Sequence, residues 1–172
     1  MATYRLDLAY LGTKFHGYAK QPNVRTVQGD LEAALERVIG PVETVVAGRT
    51  DKGVHASAQV ASFETTVEVD PRRLARSLNK QLAPEIAVTA LTEAAEGFHA
   101  RFSATGREYT YRILNREAPD PFLAPTTWHF TTPLDIEAMN EGAAYLIGVH
   151  AVSYTHLRAH ETKTRISGCG VW

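Results

Sequence analysis

The chain has one cysteine, Cys169, in 172 residues, which excludes an internal disulfide framework and a cysteine-rich zinc site. No apolar run approaches the ~20 residues that a membrane-spanning helix needs. The start, Met1-Ala2-Thr3-Tyr4-Arg5, lacks the charged-then-apolar form of a secretion signal. The expectation is a soluble, cytoplasmic protein with no membrane partner. Charge of one sign is also scarce. Lys and Arg number 18 against 19 Asp and Glu, and a net charge of -1 is not that of a strongly basic nucleic-acid binder. Internal repeats and low-complexity tracts are missing too. What remains is a hydrophobic content of 44%, enough for one good core or two small ones.

Periodicity assigns the elements. Tyr4, Leu6, Leu8 and Tyr10 alternate with Arg5 and Asp7, which predicts a half-buried strand. After a glycine-containing loop over 12–23, Val27, Leu31, Ala34, Leu35 and Val38 recur at helical spacing behind Thr26 as N-cap, and Gly40-Pro41 ends the run. Strands follow over 42–46 and 58–65. Asp70-Pro71 then opens a second helix with Leu74, Leu78 and Leu82 on its apolar stripe, and 86–91 is a further strand. Strand-helix-strand-strand-helix-strand is a split βαβ order, so the expected class is α+β, ferredoxin-like or RRM-like, with an antiparallel sheet and both helices on one face. A strand is expected over 108–114, with Tyr111 in a core or cross-strand pair. The four prolines of 119–133 mark a connector, and Asp135 caps a helix extending to Leu146 and closed by Gly148.

Between the second and third strands stands Gly48-Arg49-Thr50-Asp51-Lys52-Gly53-Val54-His55-Ala56. It places a carboxylate on a tight turn with an arginine two residues before it, and a nearby cation favours the ionised acid. Composition alone favours reading Asp51-Lys52-Gly53 as an ordinary Asx-type turn. His55 lies beside it, but one histidine without a partner at ligand spacing reads as a packing or hydrogen-bonding residue. Arg72, Arg73, Arg76 and Lys80 fall three or four apart on the second helix. Arg101, Arg107, Arg112 and Arg116 crowd one later stretch. Such stripes suit phosphates, and equally suit solvated faces.

The nonapeptide around Asp51 resembles the catalytic signature of pseudouridine synthases of the tRNA pseudouridine synthase A type. Phe98-His99-Ala100-Arg101-Phe102-Ser103-Ala104 with Tyr109-Thr110-Tyr111 is similar to that family's second signature, and Val24-Arg25-Thr26-Val27-Gln28 to a third. The three ordered matches span about Tyr4 to His150. Tyr18 and Ala19 depart from the tryptophan and glutamine usual in the family. The resemblance implies isomerisation of uridine to pseudouridine in the tRNA anticodon stem-loop (positions 38-40), without cofactor or metal. It implies Asp51 as the catalytic carboxylate, Arg49 pairing with it, and Tyr109 stacking on an extruded base. Arg72, Arg73, Arg76, Lys80 and Arg101 would then contact tRNA phosphates, and the enzyme would be a homodimer.

The implied organisation is a catalytic-Asp domain over 1–105, the start of an incomplete second α/β domain over 106–150, and a non-family tail over 151–172. From Ala151 the family pattern stops, and Tyr154 to Thr162 resembles a translated sequencing-adaptor fragment. The tail's His156 and His160, four apart, lack a third ligand or a supporting shell for zinc. Two other readings stand beside the enzyme. One is an RNA-binding half-domain without catalysis. The other is a metal-dependent hydrolase using His55, His99 or His150, which lacks ligand spacing.

Overall fold

The computed structural model describes residues 1–150 and 164–166, in two compact units, Met1–Thr110 and Tyr111–Trp172. Alternation fixes the centre of the first unit. In β1 (Ala2–Tyr10), Tyr4, Leu6, Leu8 and Tyr10 are buried, while Arg5 and Asp7 stay half-exposed on the other face and pair at 2.7 Å. The neighbours are β3 (Ala56–Thr65) and β4 (Ile86–Glu93), both antiparallel to β1, and β2 (Thr44–Val46) pairs antiparallel with β3. The sheet order is β2-β3-β1-β4, the arrangement a split βαβ unit produces.

Register carries the core phase from strand to strand. Tyr4 stands opposite Phe63 and Leu6 opposite both Ala61 and Leu91, so these side chains share one face of the sheet. Against that face lie α1 (Val27–Ile39), with Leu31 and Leu35 fully buried, and α2 (Pro71–Leu82), with Leu74, Leu78 and Leu82 buried. Each such leucine stabilises the fold by roughly 1.5–3 kcal/mol. The caps form as the sequence indicates. Thr26 Oγ1 accepts from the Gly29 amide at 3.2 Å, and Asp70 Oδ1 accepts from the Arg72 and Arg73 amides at 2.9 and 3.1 Å.

The second unit is looser. Here β5 (Ile113–Asn115) runs parallel to β6 (Trp128–Phe130), Asn115 bonds the carbonyls of Phe130 and Thr132, and α3 (Ile136–Ala144) follows its Asp135 cap. Then β7 (Gly148–His150) pairs with β8 (Thr164–Ile166). None of this unit's residues described for burial is buried. Four expectations change. The strand expected over 108–114 shrinks to Ile113–Asn115, and Tyr111 is 89% exposed rather than in the core, because no layer covers it among the described residues. The connector contains β6, and the helix stops at Ala144, two residues short of Leu146. The tail histidines lie outside the described residues.

Candidate active site

The loop from Ala47 to His55 joins β2 to β3 at the end of the sheet where β1 finishes. It has little regular structure, so its shape comes from bonds made to it by three other segments. The Gly12–Tyr18 segment supplies the first set. Tyr18 N–H donates to the Thr50 carbonyl at 2.9 Å, Gly53 N–H to the Phe15 carbonyl at 3.3 Å, and Gly12 N–H to His55 Nδ1 at 3.1 Å. His55 is therefore a hydrogen-bond acceptor whose ring proton sits on Nε2. A side chain at Gly12 would put its Cβ 2.0 Å from the Val54 carbonyl oxygen, so only glycine permits this approach.

The core face of the sheet supplies the second set. Gln59 Nε2 donates to the Gly48 carbonyl at 2.8 Å and to the Tyr10 hydroxyl at 3.3 Å, and the Tyr10 hydroxyl lies 2.8 Å from Thr50 Oγ1. Tyr10 and Gln59 are 3% and 8% exposed, so these bonds form away from competing water. The third tie comes from Arg107, whose Nη2 donates to the Ala47 carbonyl at 2.7 Å. The guanidinium passes so close over Gly48 that a Cβ there would lie 2.8 Å from Arg107 Nε. Arg107 stands two residues before Tyr109, so it fastens the start of that segment to the Asp51 loop.

The braced loop holds Asp51 and Arg49 in solvent, both exposed. Among the described residues no ion pair joins them, contrary to the sequence expectation. Two exposed groups gain little by pairing, and no described residue buries this pair. Tyr109 is 69% exposed. Arg101 is exposed beside Phe102, 5.9 Å from its ring centre, on a segment that crosses the open sheet face, where the Ala100 amide donates to Ser62 Oγ at 3.2 Å. Arg72, Arg73, Arg76 and Lys80 point to solvent from α2, in the helical layer on the opposite face.

Two clefts flank β2. One of about 660 Å³ is lined by Lys20, Gln28, Glu32 and Thr44, and one of about 430 Å³ by Val45, Ser62, Phe98 and His99; Asp51 lines neither. In the first, Glu32 accepts from the Thr44 amide at 2.9 Å, the Thr44 hydroxyl at 3.1 Å, Gln28 at 2.9 Å and Lys20 at 3.1 Å. Burial works to raise its pKa, but these four bonds together hold it below the ordinary carboxylate value. Tyr18 is fully buried, and burial pushes its hydroxyl pKa up. Among the described residues that hydroxyl meets hydrogen-bond geometry with nothing, although Thr44 is near. Among the described residues no group of three or more His, Cys, Asp or Glu is placed to hold a metal ion.

Sequence reasoning missed Tyr10 and Gln59 as parts of the site and placed Arg107 only among phosphate-tracking arginines. A signal existed for Gln59. It shares the period-2 phase of Ala61 and Phe63, and a glutamine on a core-facing phase must find partners. Nothing local in the sequence pairs Arg107 with Ala47, 60 positions away.

A family model described as tRNA pseudouridine synthase matches residues 8–103, more than half of the chain. A braced carboxylate loop on a split βαβ sheet accords with that match: the chain belongs to the tRNA pseudouridine synthase family. Among curated relatives, "tRNA pseudouridine synthase A" of Cereibacter sphaeroides is 45% identical over 161 residues, covering 92% of this chain and 62% of the relative. That of Halalkalibacterium halodurans is 42% identical over 150 residues (86% and 57%), and that of Thermosipho africanus 45% identical over 155 (89% and 63%). The chain thus spans about three-fifths of the length of these relatives. An alignment over 92% of the chain exceeds what residues 1–150 hold, so it runs a little past His150.

Proposed function

We propose that this chain carries the catalytic-Asp part of a cytoplasmic enzyme that isomerises uridine to pseudouridine in the anticodon stem-loop of tRNA, at positions 38-40, and works as a homodimer. The observation that carries the reading is the Asp51 loop itself: a carboxylate on a turn braced by three segments, within a stretch matched by the family model. Breaking the N-glycosidic bond, turning the base and rejoining it through carbon changes neither redox state nor atom count, so one carboxylate suffices without a cofactor. Asp51 is that group, attacking the sugar or the base, or removing a sugar proton. Arg49, beside it and free of any ion pair among the described residues, is available to enter the space an extracted base leaves. Tyr109 offers its exposed ring for stacking. Arg101 and the α2 row of Arg72, Arg73, Arg76 and Lys80 hold phosphates.

The exposure of Asp51 fits one wall of a cleft, the other wall belonging to the two-fifths of the relatives' length outside the matched span. We read 1–105 as the catalytic-Asp domain and 106–150 as the start of the second domain, with the family pattern fading in the stretch 151–172, of which the alignment to the Cereibacter sphaeroides relative takes in only the beginning. The second unit, without a buried residue among those described for burial, favours a second reading: a piece that binds tRNA but does not turn over. Incubation with unmodified tRNA and mass-spectrometric detection of pseudouridine separates the two. Product lost in Asp51→Ala supports the enzyme, whereas tRNA binding without product supports the second reading.

A further inference from the structure

The bonds beneath the Asp51 loop form a continuous chain. Gln59 Nε2 donates to both the Gly48 carbonyl and the Tyr10 hydroxyl, so that phenol oxygen is already an acceptor. The same phenol oxygen lies 2.8 Å from Thr50 Oγ1, a bond in which either hydroxyl can be the donor. Thr50 stands immediately before Asp51 in the chain. The two ends of the chain of bonds grip Gly48 and Thr50, either side of Arg49. Both Tyr10 and Gln59 are buried, on adjacent strands, and they make these bonds from the core side.

We propose that Tyr10 and Gln59 are positioning residues for Asp51: a hydrogen-bonded Gln59–Tyr10–Thr50 relay fixes the orientation of the 48–51 turn and so of the reacting carboxylate. This rests on Asp51 being the reacting group. Neither residue reaches the substrate, and each acts only through the loop. A rigid backbone here matters because an error of about 1 Å in a reacting group costs about 10²-fold in rate.

The test uses Tyr10→Phe, which keeps the ring in the core and deletes only the hydroxyl, and Thr50→Val, which removes the same bond from the solvent side. Two measurements are made on the whole chain: amide order parameters by nitrogen-15 relaxation, and the kcat and KM of pseudouridine formation on tRNA. In both variants the order parameters of residues 49–52 fall from about 0.85 to about 0.6, and those of β1 and β3 hold. kcat drops by about tenfold with KM and tRNA affinity within about twofold, and the double variant loses no more than either single one. Unchanged loop order, or equal loss in kcat and tRNA affinity, overturns the proposal. Should Tyr10→Phe fail to fold, Thr50→Val decides alone. If the unmodified chain forms no pseudouridine, the proposed function fails, and the relaxation data still decide whether the relay orders the loop.

Discussion

The Gly12 amide nitrogen lies 3.1 Å from His55 Nδ1, while a Cβ at Gly12 would lie 2.0 Å from the Val54 carbonyl oxygen. One contact joins the end of β1 to the far side of the Asp51 loop, and it tolerates no side chain. Gly12→Ala is expected to push the loop away and to destabilise the first unit by about 1–3 kcal/mol. His55→Phe removes the acceptor and strands the amide, at about 1–2 kcal/mol. Urea titrations followed by circular dichroism check both, and two variants as stable as the parent would show that the contact contributes nothing.

Glu32 gives the protein an acid-sensitive joint between α1 and β2. Its pKa is depressed in the folded chain, so the stability it contributes is present above its ordinary value of 4.5 and is lost as pH falls through the lower folded value. Stability should therefore decline below about pH 4.5. Glu32→Gln keeps one oxygen to accept from Thr44 and Gln28 but turns an NH2 donor toward the Lys20 ammonium, and is expected to cost about 1–3 kcal/mol at pH 7 while flattening that decline. Denaturation at a series of pH values from 3 to 7 measures both effects; an unchanged slope in the variant would assign the decline to other carboxyls.

Tyr18 is expected to behave in the opposite sense. Its hydroxyl is buried with no hydrogen-bond partner among the described residues, so Tyr18→Phe removes an unmet polar group and keeps the packing. Stability should be unchanged or raised by up to about 1 kcal/mol, read as a higher urea midpoint. A loss above about 1 kcal/mol would mean that the hydroxyl has a bonded partner in solution.

The α2 cap offers a local test. Asp70 Oδ1 receives two backbone amides, and Asp70→Ala is expected to lower stability by about 1 kcal/mol without moving tRNA binding. A fall in tRNA affinity of the same size as that from Arg73→Ala would place Asp70 in the interface instead.

How much of this was readable in advance follows from the range of each interaction. The alternation of Tyr4 to Tyr10, the Thr26 and Asp70 caps and the leucine stripe of α2 are local patterns, and the split βαβ sheet follows them. Asp51 is marked by its neighbours in sequence. Its supports are not, because Tyr10, Gln59 and Arg107 reach the loop across 40, 11 and 60 positions. The expected Arg49–Asp51 pair failed for an energetic reason: proximity in sequence gives two hydrated charges no incentive to join. The strand over 108–114 failed because alternation alone does not make a strand where, among the described residues, no layer covers it.

The most direct measurement compares pseudouridine formed in unmodified tRNA by the parent chain and by Asp51→Asn. The substituted side chain is exposed and free of hydrogen bonds among the described residues, so the variant should match the parent in urea stability within about 0.5 kcal/mol. Its turnover should fall by at least about 10³-fold with tRNA affinity retained. An Asp51→Asn protein that turns over at the parent's rate would contradict the central claim.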